Sequence, residues 1–438
     1  MVKAKCSFWF GFLGLVLVTG STSSPSIGTA KTRLDKAKIV EVISKEFNEA
    51  YVFPETAKKM EAALKKNLAE GRYQSIDDPQ VLANTLKEDL IAVSKDKHIN
   101  LFFMEKAPQN PEQSPEAQAK EVAAMEADNF GFKKLEILAG NIGYIDLRGF
   151  LPAEYGGATA VAAMNYMANT RALIFDLRNN GGGSPSMIQL LTSYLLAQPT
   201  HLNSFYVRKT DSHEQFWTSA HVEGKRYLDK EVYVLTSGGT FSAAEEFSYN
   251  LKNLKRATLV GETTGGGAHP VNFHYLKDIK FGAMIPFGRA INPITKTNWE
   301  GTGVEPHVKV SKEEALMRAH TMALQNLLQK SKDADDKKRI SWALESLKAQ
   351  HSPLTLKPET LQSYVGRYGD RVIAWENDQL TYTRGSRKNR LIPLDTDRFA
   401  VEGVDYFRLQ FHRDGKGQLV SVSGLYQDGK TDKSERSK

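Results

Sequence analysis

Apolar residues recur at helical spacing through the first stretch of chain after residue 30. Leu34, Ile39, Val42 and Ile43, then Met60, Ala63 and Leu64, are interleaved with charges, the 3.6-residue period of amphipathic helices. Pro54 breaks the first run and opens a second helix, and a third is predicted from Asp78 through Leu82, Leu86 and Leu90. A polar stretch from Ala107 to about Gln118, rich in Pro, Gln and Glu, predicts a loop leading into a short charged helix. The pattern then changes. Asn141–Leu147 and Ala172–Leu177 are short apolar runs of strand type, separated by a predicted helix over Ala158–Ala168. The second strand runs into Arg178-Asn-Asn-Gly-Gly-Gly183 and a helix from about Pro185 to Leu196. The same unit returns later: strand Glu231–Leu235, the turn Thr236-Ser-Gly-Gly-Thr-Phe-Ser242, and helix Ala243–Leu251. Strand, glycine-rich turn and helix in repetition predict α/β layering on a largely parallel sheet.

A charged helical stretch is predicted from Ser311 to about Gln350. Short alternating strands follow, at Val372–Trp375, Leu380–Thr383, Phe399–Val401, Tyr406–Phe411 and Leu419–Leu425, and read as a small all-β module. The polar tail Gly429–Lys438 is expected to fray. The domain plan is therefore a leader over 1–30, a helical domain over 31–106 and a connector over 107–138. An α/β core over 139–310, a helical linker over 311–350 and a β-barrel-like domain over 351–438 complete it.

The leader reading rests on Lys3 and Lys5, the apolar run Phe8–Val18, and the small residues that follow, with Gly28-Thr29-Ala30 as an A-x-A-like cleavage site. It predicts an exported chain, periplasmic or secreted, with no stable membrane span after cleavage. Over 438 residues the net charge is +7 and no dense basic stripe occurs, so nucleic-acid binding gains no support. The single cysteine, Cys6, lies inside the leader. The mature chain is thus expected to lack both disulfides and a thiol nucleophile.

Neither glycine-rich turn carries the Gly-Lys-Ser/Thr of a phosphate loop or the G-x-G-x-x-G of a dinucleotide site, and H-E-x-x-H is missing. No metal or organic cofactor is implied. Ser242 stands where a strand hands over to a helix, after a Gly-Gly pair that permits a tight turn. A side chain there would face free backbone N–H groups and the positive end of the helix dipole, which favour a developing negative charge. The alternative is structural, since Ser242-Ala-Ala-Glu245 is also a capping box. Gly181–Gly183 likewise serve either positive φ and close packing or a bare N–H approaching a carbonyl. A nucleophilic serine needs a base. His98, between a helix end and an apolar strand, is the first candidate and His269, after a glycine run, the second.

Four segments taken together, Asp176–Gly183, Thr236–Glu245, Val260–Gly267 and Gly301–Pro306, resemble in order and spacing the tail-specific, or C-terminal-processing, serine peptidases. The resemblance covers about Val40–Val310. Tyr51-Val-Phe-Pro54 and its helical surroundings are similar to the branch containing the interphotoreceptor retinoid-binding protein. The resemblance implies a crotonase/ClpP-like α/β core behind a helical N-terminal domain, with Ser242 as nucleophile. Members with a Ser–Lys dyad carry lysine where this chain has Gly267, so the resemblance points to His98 as base and Glu300 as its orienter. The implied oxyanion donors are the N–H groups of Ala243 and of Gly182 or its neighbour Gly181. The connector is too short for the PDZ domain of many processing peptidases, and His307 replaces an acidic residue frequent in the family. The C-terminal β module lies outside the resemblance and looks like the lipocalin-like units appended to some exported hydrolases.

The function expected is an exported serine peptidase acting on peptide or protein substrates. The rival is a non-catalytic protein that binds a hydrophobic ligand or peptide on a peptidase-derived scaffold, since fold does not guarantee chemistry. Oligomeric state is not encoded in any pattern found.

Overall fold

The computed structural model describes residues 34–108, 114–351 and 354–437. The expected leader lies outside the described residues. Three helices open the chain: α1 (Lys36–Ala50), α2 (Pro54–Ala69) and α3 (Pro79–Ser94). Asp35 caps α1 through the Lys38 N–H, while Asp78 accepts from Gln80 and Val81 ahead of Pro79. Their apolar faces meet in one core of Ile43, Phe47, Met60, Leu64, Leu86 and Leu90. Leu101 of β1 (Asn100–Phe103) and residues of a later hairpin close that core.

After α4 (Pro115–Ala127) come β2 (Phe132–Leu138), β3 (Ile142–Leu147), α5 (Ala153–Met167), β4 (Ala172–Asp176), α6 (Pro185–Leu195), β5 (His201–Val207) and β6 (Ser212–Trp217). Then follow β7 (Glu231–Thr236), α7 (Ala243–Asn253), β8 (Thr258–Gly261), β9 (Val271–Leu276), β10 (Phe281–Pro286), β11 (Gly288–Ile291) and β12 (Val308–Lys309). A six-stranded sheet has the order β12-β8-β7-β4-β3-β2, with β7, β8 and β12 parallel. Strands β3 and β4 are buried at every position, as strands covered on both faces must be. Strand β2 falls inside the stretch expected to be only connector, where its charged residues Lys133, Lys134 and Glu136 conceal it from an apolar-run reading. Two three-stranded sheets, β1-β10-β9 and β11-β5-β6, complete this part.

The described residues divide into two compact units, one within 1–135, 144–169 and 175–312 and the other within 136–143, 170–174 and 313–438. The expected charged stretch is two helices, α8 (Ala315–Lys330) and α9 (Ala334–His351), grouped with the β module in the second unit. After α10 (Pro358–Ser363), eight strands form one antiparallel meander: β13 (Gly366–Tyr368), β14 (Arg371–Glu376), β15 (Gln379–Arg384), β16 (Arg387–Pro393), β17 (Arg398–Val401), β18 (Val404–Arg413), β19 (Leu419–Tyr426) and β20 (Thr431–Glu435). Ser437 N–H donates to Arg367 O (2.8 Å) and Tyr368 bridges Arg436, so the last segment closes on the first strand.

The tail expected to fray is therefore a strand, paired from Thr431 to Glu435 with β19. Its polar composition misleads because the partly buried positions of β20 are Asp432 and Ser434. Both bond the fully buried Arg371, so a polar side chain is what the position requires.

Candidate active site

The two glycine-rich turns are tied together by backbone and hydroxyl bonds. Phe241 N–H donates to Asn180 O (3.0 Å), Thr240 Oγ1 to Leu177 O (2.7 Å) and Ser237 Oγ to Arg178 O (2.5 Å). This lays the first turn against the start of α7. A Cβ at Gly182 would stand 2.7 Å from Ser242 Cβ and 3.0 Å from Ala243 N, so only glycine permits the approach.

Ser242 sits at the N-cap of α7 with φ 54° and ψ −121°. An ordinary capping serine has β-region dihedrals. Positive φ in a non-glycine residue is strained and is concentrated at functional sites, and a nucleophile raised on a strand-to-helix turn sits in such a place. The cap is nevertheless real. Glu245 accepts the Ser242 N–H (2.9 Å) and also bonds Thr264 Oγ1 (2.5 Å), Gly266 N–H (2.6 Å) and Gly267 N–H (2.8 Å). One buried carboxylate thus fastens the serine to the third glycine motif. Burial raises its pKa, and the four donors oppose that rise.

His98 follows from the end of α3. Lys95 takes the left-handed conformation, and Asp96 Oδ1 then accepts the His98 N–H (3.0 Å) in an Asx turn leading into β1. The imidazole lies against Phe241, with ring centroids 4.6 Å apart. Both ring nitrogens are buried without a hydrogen-bond partner among the described residues, and Nδ1 is 3.9 Å from Asp96 Oδ1. Burial lowers its pKa to about 4, against the opposing charge of Asp96, so the ring is neutral near pH 7. A Cβ at Gly267 would come within 2.6 Å of His98 Cε1 and 2.3 Å of Phe241 Cζ. Any side chain at 267 would therefore displace this imidazole or the Phe241 ring, and Gly267 makes room for both.

Glu300 does not meet His98. One oxygen, Oε2, accepts the Ala268 N–H (2.5 Å) and lies 3.6 Å from His269 Nδ1, while Oε1 is buried with no partner among the described residues. Burial pushes its pKa up to about 7, with Asp96 adding to the rise and His269 opposing it. His269 is bonded through Nδ1 to Asp96 Oδ2 (2.6 Å), which also takes the Tyr51 hydroxyl (3.2 Å). Burial disfavours the charged imidazole, but the Asp96 bond and charge outweigh it and hold the His269 pKa above its usual value. Asp96 moves the opposite way: burial would raise it, and His269 holds it low. Asp96, His269 and Glu300 offer ligand atoms within 4.8 Å of one another, in a space already bridged by the Asp96–His269 hydrogen bond.

Ser242, Ala243, Gly183, Gly267, His269 and Trp299 line one small cavity of about 20 Å³. Of the expected oxyanion donors, the Gly182 N–H is already given to Asn180 Oδ1 (2.9 Å). That expectation is corrected for Gly182: the amide is held by its own turn. Gly181, where a Cβ would meet nothing within 4 Å, and Ala243 keep N–H groups without a partner among the described residues. Pattern reading passed over Asp96 as a bonding hub and Glu245 as more than a cap. The Asp-x-His spacing and the capping box were the available signals. The Tyr51–Pro54 motif also gains a reason: Tyr51 bonds Asp96, and Phe53 packs edge-on against His269 at 5.5 Å.

The site is thus a strained serine at a strand-to-helix turn of an α/β core. Residues 141–310 match peptidase family S41, and residues 26–134 match the N-terminal domain of peptidase S41 in eukaryotic IRBP. The chain thus carries the peptidase domain of family S41, preceded by that family's N-terminal domain. Among solved structures it is similar to a candidate peptidase from Parabacteroides merdae ATCC 43184 (20% identity, 63% of this chain, 90% of that chain, TM-score 0.45). It is also similar to a lipoprotein from Streptococcus agalactiae (15%, 70%, 100%, 0.45) and to the photosystem II D1 C-terminal processing protease (14%, 65%, 94%, 0.39).

Proposed function

We propose that this protein is an exported serine peptidase in which Ser242 is the nucleophile and His98 the general base. The observation that carries the reading is the backbone of Ser242, since a serine that only caps a helix has no need of φ 54°. Support for His98 comes from its neutral, unpaired imidazole beside Phe241 and Gly267. In the first step Ser242 Oγ bonds to the peptide carbonyl carbon and its proton passes to His98. The carbonyl oxygen becomes an oxyanion facing the N–H groups of Ala243 and Gly181. His98 then gives that proton to the leaving amine as the C–N bond breaks, leaving an acyl-serine. A water loses its proton to His98 and attacks the ester carbonyl. The acid product departs, and the proton returns to Ser242.

A second reading of the base is favoured by one observation: His269 lines the same cavity as Ser242 and already holds Asp96 at 2.6 Å, the orienting carboxylate of a triad. Under the first reading, Asp96 is the positioning group beside His98, and His269 in turn holds Asp96. Export is supported by the leader pattern of residues 1–30. No helix among the described residues is long and apolar enough to cross a membrane.

The test is labelling by a fluorophosphonate followed by peptide mapping. Wild-type protein is expected to carry the adduct on Ser242, Ser242→Ala to carry none, and His98→Ala to react at least a hundredfold more slowly. Equal reactivity of wild type and Ser242→Ala removes the catalytic reading and leaves the binding-protein alternative.

A further inference from the structure

The closed meander has a filled end and an open one. Tyr364, Tyr368, Phe399 and Phe411 pack edge-on or tilted against one another inside the barrel, with centroids 4.8–5.6 Å apart. An eight-stranded barrel has an interior that side chains just fill, or that holds one small ligand. Here both conditions occur in one barrel. At the end carrying the turns at Gly385-Ser386 and Glu402-Gly403, a cavity of about 400 Å³ opens, within the range of small-molecule sites.

We propose that this barrel mouth binds a small amphiphilic carboxylate, a flexible apolar body carrying one anionic head. The lining supplies both halves of that chemistry. Tyr382, Phe407, Tyr426, Val401 and Val404 form an apolar wall, of which Tyr382, Phe407 and Val401 are buried. The charged lining residues are Arg384 and Arg387, and no aspartate or glutamate lines the cavity. Arg384 is neutralised: it pairs with Asp370 (2.8 Å) and stands 3.6 Å from Asp432. Arg387 has no ion pair among the described residues, so its guanidinium is the uncompensated charge at the rim.

Beneath the mouth lies a polar network centred on Asp432, in which Arg371 Nε is buried without a partner among the described residues. Asp432 takes Arg371, the Gly424 N–H and the Tyr426 hydroxyl (3.3 Å). That network fixes the ring of Tyr426, and no carboxylate lines the space above it to pair a cationic ligand. A neutral lipid would fill the apolar wall yet leave Arg387 unmatched, whereas a carboxylate head supplies the charge-assisted hydrogen bond that Arg387 can make. The site lies wholly within the second unit and does not depend on peptidase activity.

The test is calorimetric titration of the full-length protein with decanoate, kept below its micellar concentration, and separately with decanol. Decanoate is expected to bind one-to-one and saturably. Arg387→Gln, an exposed rim change, should weaken it about tenfold and leave decanol binding unaltered. Val404→Glu should weaken decanoate at least as much by placing a like charge in the wall, with circular dichroism confirming that both variants are folded. Absence of saturable decanoate binding by folded protein overturns the proposal. So does decanoate binding that neither variant changes, or decanol binding as tight as decanoate with no effect of Arg387→Gln.

Discussion

Gly182 and Ser242 pack so closely that a methyl group on the glycine would stand 2.7 Å from the serine Cβ. The same methyl would lie 2.9 Å from Phe241 O, and Gly182 has φ 110°. Gly182→Ala therefore meets rigid backbone as well as an unfavourable dihedral. We expect it to destabilise the protein by about 2–4 kcal/mol and to cut fluorophosphonate reactivity at least tenfold. Urea unfolding and labelling rates check the two effects separately.

Ser242 stores strain that its own replacement can release. Ser242→Gly removes the side chain from a positive-φ position while costing only a few tenths of a kcal/mol as a cap. It should stabilise the fold by about 1 kcal/mol and abolish labelling, whereas Ser242→Ala should show no such gain. Thermal unfolding of the three proteins distinguishes them.

Glu245 gathers four donors, from Ser242, Thr264, Gly266 and Gly267. An amide at this place turns an N–H group toward donors. Glu245→Gln is expected to cost about 1–3 kcal/mol. Because it loosens the serine rather than a substrate contact, kcat should fall while KM changes little. A changed KM with kcat intact would make Glu245 a binding residue instead.

The pH profile of kcat/KM separates the two imidazoles. A base must be unprotonated, so activity is present above its pKa and lost as pH falls through it. His98, pushed down to about 4 by burial, gives a rate that is flat from pH 7 to 5. His269, held above its usual 6.5 despite burial because Asp96 outweighs it, gives a fall of about tenfold or more over that interval. The flat profile is expected.

Glu300 links stability to pH. Its folded pKa, raised to about 7 by burial, exceeds the unfolded value of 4.5, so its ionisation weighs against the folded state increasingly as pH rises from 4.5 through 7. Glu300→Gln imitates the protonated form and escapes this. The variant should gain on the order of 2 kcal/mol relative to wild type between pH 5 and pH 7.5. A constant difference across that range would show that the carboxyl titrates normally.

The repeated strand, glycine-rich turn and helix were legible because period and punctuation are local signals. Residues Ala172–Asp176 and Glu231–Thr236 are the expected strands to within a residue. Strands β2, β16 and β20 were not, because their residues are polar and are retained by pairing and by buried partners such as Arg371. Of the candidate site, Ser242, His98 and Glu300 could be named from spacing and resemblance, as expectations. The partner of Glu300 could not, since Ala268 and His269 reach it only through the fold.

By itself the sequence determined the α/β layering and the family resemblance and named Ser242 as the candidate hydroxyl, since each is written in local pattern. Only the tertiary structure decided that Ser242 adopts a positive φ, that Gly182 spends its N–H on Asn180, and that Gly267 makes room for His98. These are distances between segments far apart in the chain, fixed by close packing of backbone against backbone, and no one-dimensional pattern carries them.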